Sequence, residues 1–143
     1  MNDTQDAAMQ LASGIAAFEA KHFSRALQLL TPLAEAGEAE AQYRLAIIYQ
    51  NGLGSVRNEP LAYQWMQHAA EQQHGPALHG LGFMYMDGDC VERDDHKAVH
   101  WFQAAADLGL EGSMVALAQM YEQGRGVEQN AKKARQWYTQ AGF

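Results

Sequence analysis

Residues 81–90 read LGFMYMDGDC, and the same frame returns upstream at 45–54 as LAIIYQNGLG and downstream at 117–126 as LAQMYEQGRG. Leu45, Leu81 and Leu117 are 36 residues apart, as are Tyr49, Tyr85 and Tyr121, and Gly52, Gly88 and Gly124. The frame continues into a second segment: Ala62, Ala98 and Ala134, then Trp65, Trp101 and Trp137, then Ala69, Ala105 and Ala141. Five residue types keep one spacing through three windows. That defines an internal repeat, and a period in this range marks stacked supersecondary units.

Each window reads as two helices. In the first, Ala41, Leu45, Ile48 and Tyr49 fall on one helical face. It stops at Asn51-Gly52, since glycine accepts the left-handed conformation that ends a helix. A short loop follows (NGLGS, DGDCV or QGRGV), and Asn58, Asp94 or Asn130 then stands where a short polar side chain caps the next helix. The second helix sets a Trp beside small Ala residues, which suits close packing on a partner. Ala46, Gly82 and Ala118, directly after the repeated Leu, let the two helices approach. Residues 5–40 form a degenerate first unit: Gly14, Ala17 and Phe18 mark its first helix and Ala26, Ala34 and Gly37 its second, but the turn from Glu19 to His22 lacks the Gly-x-Gly loop.

The chain has 143 residues, 48% of them hydrophobic, and a net charge of −7. A basic face for phosphate is not in evidence, which argues against a nucleic-acid partner. The single cysteine, Cys90, rules out an intramolecular disulfide framework, so packing must hold the fold. The acidic start MNDTQDAAMQ is unlike a secretory signal, and no apolar run is long enough to span a membrane. A cytoplasmic location is expected on these grounds.

The pattern Ala-x-x-x-Leu-[Gly/Ala]-x-x-Tyr-x-x-Gly-x-Gly, followed by Ala-x-x-Trp-[Tyr/Phe]-x-x-Ala-[Ala/Gly], resembles the Sel1-like repeat, a relative of the tetratricopeptide repeat. The matching text is LAIIYQNGLG…LAYQWMQHAA, LGFMYMDGDC…KAVHWFQAAA and LAQMYEQGRG…KARQWYTQAG. The departures are Cys90 at the second loop glycine, Ser55 where Val is usual, and Ser113 at the opening small residue. The resemblance implies an all-α fold, a right-handed α/α solenoid of about four antiparallel helix pairs. A single repeat domain, 1–143, is expected, with a tetratricopeptide-like pair at 5–40 and repeats at 41–76, 77–112 and 113–143. A secreted bacterial branch with a Cys pair in each repeat is not matched.

The resemblance also implies a non-catalytic adaptor or scaffold that binds a partner protein or peptide in a groove lined by first helices. In a tetratricopeptide-like register the inward positions are Leu11, Ile15 and Phe18; Tyr43, Ile47 and Gln50; His79, Phe83 and Met86; and Val115, Gln119 and Glu122. For a surface this set is unusually apolar, and contiguous exposed apolar patches mark interaction sites. An amphipathic helix laid into such a groove fits it. The last helix reads as a solvated basic face, with a homodimer contact through Tyr138 and Phe143 as the alternative.

Candidate chemistry is thin. His96 and His100 have a spacing that can share a metal on a helix, but no third ligand accompanies them. His68, His74 and His79 straddle a loop and are discounted likewise. Acidic neighbours work against a reactive Cys90 thiolate. Ser13, Ser24, Ser55 and Ser113 lack a nucleophile-elbow context. The Gly-x-Gly loops follow helices and lack the Lys-Ser/Thr of a phosphate loop. No catalytic residue, metal or cofactor is expected. Two other functions stand behind the adaptor: an inhibitor or immunity-type protein that masks a cognate enzyme or toxin, and, last, an enzyme or a binder of small ligands or cell-wall fragments.

Overall fold

The structure, a computed structural model, describes residues 3–143; Met1 and Asn2, which open the acidic N-terminal stretch, lie outside them. Eight helices make up the described chain: α1 (Asp3–Glu19), α2 (Phe23–Glu35), α3 (Ala39–Asn51), α4 (Glu59–Glu71), α5 (Gly75–Asp87), α6 (Asp95–Asp107), α7 (Glu111–Gln123) and α8 (Ala131–Gln140). Among the described residues there is no strand, and no helix is long and apolar enough to cross a membrane. The fold is all-α, as the repeat implies. Consecutive helices pair, α1 with α2 through α7 with α8. The chain divides at His74–Gly75 into two compact units of two pairs each.

The ends of the helices follow from single residues. Asn58, Asp94 and Asn130 hold extended backbone, and each side chain accepts from the amide three residues on: Leu61, Lys97 and Lys133. Each satisfies an amide that the helix itself leaves unpaired. Gly52 and Gly124 close α3 and α7 in the left-handed conformation. The capping residues read from the sequence are therefore the caps in the structure.

The second loop glycine has a further duty. In the first unit a Cβ on Gly54 would lie 2.7 Å from Phe23 Cβ; in the second, one on Gly126 would lie 2.3 Å from the Asp95 carbonyl oxygen. Each loop thus presses on the first residue of the preceding pair's second helix. In the first unit this seats the second pair on α2, so the degenerate N-terminal pair receives the repeat's contact although its own turn lacks the loop. Cys90 fills the same repeat position at φ 66°, a conformation costly for any residue with a side chain.

Packing within a pair runs small against large. Leu45, Leu81 and Leu117 are fully buried, as are Ala46 and Ala118 beside two of them. On the second helices the structure shifts emphasis away from tryptophan. Trp65, Trp101 and Trp137 are only half-buried, whereas Phe102 is fully buried and Met66 nearly so. In the first two repeats the core residue is therefore the one after the Trp, whereas Tyr138 after Trp137 is itself half-buried. In the first unit the core gathers Ala26, Leu30, Ala41, Leu45 and Ile48, with Trp65 packed at its edge. The one buried amide side chain there, Gln42, donates to the Ala34 carbonyl at 3.0 Å and accepts from Gln72 at 2.9 Å, so its burial leaves no bond unmade.

Gly82 shows how closely this packing is tuned. A Cβ there would sit 2.6 Å from the Phe102 ring. One repeat earlier the same two positions hold Ala46 and Met66, a larger residue opposite a slimmer, more adaptable one. Gly82→Ala should therefore destabilise the chain by about 1–2 kcal/mol, because the clash outweighs the gain in helix propensity. In Gly82→Ala/Phe102→Met the loss should shrink to within about 1 kcal/mol of wild type, a coupling that a double-mutant cycle in urea would measure.

Candidate functional site

In the first unit the inward positions fall on α1 (Leu11, Ile15, Phe18) and α3 (Tyr43, Ile47, Gln50), and all six are half-buried. Polar groups tie this face together. Glu40 accepts from Arg44 Nε at 2.8 Å and is 2.6 Å from His74 Nε2. The Arg44 guanidinium lies 4.8 Å over the Phe18 ring, and the His74 ring packs on Tyr43 at 5.0 Å. Burial alone would raise the Glu40 carboxyl; the hydrogen bonds from His74 and Arg44 outweigh it and hold it below the usual carboxylate range. As a carboxylate Glu40 has only acceptors, so His74 Nε2–H is the donor in that contact. Burial pushes the Tyr43 phenol up, so it stays protonated.

In the second unit the positions fall on α5 (His79, Phe83, Met86) and α7 (Val115, Gln119, Glu122). Phe83 is 38% exposed, whereas His79, Met86 and Val115 are half-buried and Gln119 and Glu122 exposed. Three rings interlock edge to face: His79 with Phe83 at 4.8 Å, His79 with Phe102 at 5.6 Å, and Phe83 with Phe102 at 5.1 Å. Such pairs add to plain area burial and hold Phe83 in place although its outer edge is open. His79 Nδ1 lies 2.6 Å from the Ser113 hydroxyl, which is fully buried. This bond joins α5 to α7.

Ser113 takes no catalytic part on this geometry. Its hydroxyl is sealed from solvent, so the His79–Ser113 contact orients the imidazole and does not present a nucleophile. The pairing was readable only indirectly. Ser113 departs from Ala41 and Ala77 at its repeat position, and His79 stands where Tyr43 and Val115 stand. Two departures from one repeat that touch in space are a compensating pair. Sequence spacing alone did not connect them, nor Glu40 with His74, because each contact bridges 34 residues.

The other candidates stay apart. His96 and His100 are exposed on α6, and His100 packs on Trp101 at 4.9 Å. Among the described residues no group of three or more His, Cys, Asp or Glu side chains is placed to hold a metal ion. Asp95 accepts from Arg125 at 2.9 Å and from Arg93 at 3.2 Å, hydrogen bonds that hold its carboxyl below the usual range. Tyr138 donates to Glu122, and Phe143, 81% exposed, packs on Tyr138 at 6.1 Å. The glycine loops follow helix ends, so they offer no helix N-terminus of the phosphate-binding kind.

The His79 environment carries a pH signature. Burial pushes the imidazole below its ordinary 6.5, so the folded state prefers the neutral ring. Between the unfolded and folded pKa values the unfolded chain binds more protons. This contribution is therefore complete above about pH 6.5 and is lost as pH falls through that value toward the folded pKa. Thermal melts at pH 7.5 and 5.0 should show a larger drop for wild type than for His79→Gln; equal drops would contradict the burial argument.

A family model described as Sel1 repeat matches residues 39–74, 75–110 and 112–142. Among solved structures, c5321, a protective antigen of uropathogenic Escherichia coli with an SLR fold, is 36% identical with a TM-score of 0.79. The match covers 80% of this chain and 25% of that one, so this chain spans about a quarter of its length. A Sel1 repeat protein from Oxalobacter formigenes is 35% identical with a TM-score of 0.78, covering 80% of this chain and 88% of that one. Helicobacter pylori cysteine rich protein B, 24% identical over 82% of this chain and 84% of its own, with a TM-score of 0.65, shares the fold. No match was found among the curated proteins. Sel1 repeat proteins are in general protein–protein interaction modules and typically non-catalytic scaffolds. With three matched repeats over most of its length and caps and glycines where the repeat needs them, this chain belongs to the Sel1 repeat family.

Proposed function

We propose that this protein is a non-catalytic adaptor that holds a peptide or helix of a partner protein against its first-helix faces. The observation that carries the proposal is Phe83. It is an aromatic side chain left 38% exposed and backed by His79 and Phe102, with half-buried Met86 on the same helix and half-buried Val115 on α7. A rigid, partly open aromatic is the kind of residue that carries binding energy at interfaces. The methionine lends adaptability to whatever packs there. In the first unit Ile47 and Tyr43 offer a second apolar stretch, with Arg44 already engaged by Glu40 and Phe18.

The proposal follows from what the repeats spend and what they leave. The repeated Leu, Gly and Ala residues are consumed by packing or turns. The positions that differ between repeats, 43/79/115 and 47/83/119, remain half-buried or exposed on the first helices. Selectivity for a partner needs such non-repeating side chains.

Affinity capture from a lysate of the source organism, followed by mass spectrometry, tests this when wild type is compared with Phe83→Asp/Ile47→Asp. The expected result is a partner retained by wild type and lost by the variant, with helical circular dichroism unchanged. Retention of the same partner by a folded variant would remove these faces as the binding surface.

A further inference from the structure

Charge is unevenly divided between the two helix layers of the second unit. The first helices, α5 and α7, carry Asp87, Glu111 and Glu122 and no Lys or Arg; the second helices, α6 and α8, carry Lys97, Lys132, Lys133 and Arg135 against Asp95 and Asp107. By spacing, the three acids share a face with the inward positions. Asp87 follows Phe83 by four residues, Glu111 precedes Val115 by four, and Glu122 follows Gln119 by three, spacings that align side chains on a helix. All three acids are exposed.

Two of these acids stand where their own helix disfavours them. Asp87 and Glu122 lie in the last turns of α5 and α7, where the backbone carbonyls already concentrate negative charge. Among the described residues neither they nor Glu111 form an ion pair. Four of the unit's six Lys and Arg side chains are turned to other uses. Arg125 and Arg93 pair with Asp95, Lys97 lies over the Tyr85 ring and Lys133 over the Tyr121 ring. Arg125 feels Asp87 only at a distance, while its hydrogen bonds go to Asp95 and the Met86 carbonyl. Glu122 accepts one hydrogen bond from Tyr138, which leaves its charge uncompensated.

We propose that the α5–α7 face takes a basic amphipathic helix. Its apolar stripe would lie on Phe83, Met86 and Val115, and its flanking Lys or Arg side chains would reach Asp87, Glu111 and Glu122. This deepens the adaptor proposal and rests on it. Charge complementarity picks the occupant: an acidic or neutral segment would gain the same apolar contact but would meet three like or unanswered charges. The acids at the rim act chiefly on the rate of association and its salt dependence, and the apolar centre on residence.

The test is a phage-displayed library of random 16-residue peptides selected on the full chain at low salt, with Phe83→Asp as counter-selection. The expected yield is peptides with apolar residues at helical spacing and Lys or Arg beside them. A synthetic copy should bind Asp87→Asn/Glu111→Gln/Glu122→Gln at least about five-fold more weakly than wild type, mainly through a slower association rate, and raised salt should erase the difference. Phe83-dependent peptides with no basic bias, or undiminished binding to the triple variant, would overturn the charge proposal and leave the adaptor face standing. No Phe83-dependent peptide at all would overturn both.

Discussion

Everything in this structure depends on how closely the two helices of a pair approach. That distance is set by small residues held with no exposure to water: Ala26 and Ala41, Ala46 and Ala62, Ala98, Ala105 and Ala118. Where the facing side chain grows, as at Phe102, the opposing residue shrinks to Gly82. Close packing of this kind leaves no slack for a methyl group, so volume is conserved across the contact rather than at either residue. Once the pairs are drawn together, the connecting loops have little room, and the second loop glycine meets backbone that no side chain could approach.

Local devices were legible in the sequence for a physical reason: each is a property of one residue and its near neighbours. A cap needs only Asn58, Asp94 or Asn130 and an amide three residues on. A helix stop needs only Gly52 or Gly124. The register followed from periodicity, and the family resemblance from the register. What escaped was of three kinds. Tryptophan is the most conspicuous recurring residue of the second helix, yet it is only half-buried, and Phe102 and Met66 fill the core; a large side chain at a helix edge is often only half covered. Contacts distant in sequence, His79 with Ser113 and His74 with Glu40, involve residues that depart from the repeat, and a periodic pattern says nothing about where two exceptions meet. Cys90 is a third case. Its left-handed backbone was implied by the glycines at its repeat position, yet the cysteine itself gave no sign of tolerating it.

The division of labour follows from the same constraint. Residues that repeat are consumed by packing and by turns, and they cannot distinguish one partner from another. On the adaptor proposal the exceptions are left to do so. In the first unit they form a polar knot of Glu40, Arg44 and His74 around Phe18 and Tyr43, largely self-satisfied. In the second they leave an open aromatic edge at Phe83, with exposed acids on the same two first helices. Of the two faces, the second has unsatisfied capacity, both apolar and electrostatic. On the adaptor proposal, a site with that character takes a partner that brings apolar surface and positive charge together.

The claim that this face binds, and that the outer helices do not, can be read residue by residue. Amide chemical-shift perturbation on the isotope-labelled full chain, titrated with a peptide recovered by Phe83-dependent selection, reports it directly. The account predicts that the largest shifts fall on α5 and α7, centred on His79, Phe83, Met86 and Val115, with α6 and α8 little changed on their exposed sides. Shifts centred on the exposed faces of α6 or α8, with Phe83 unmoved, would contradict it.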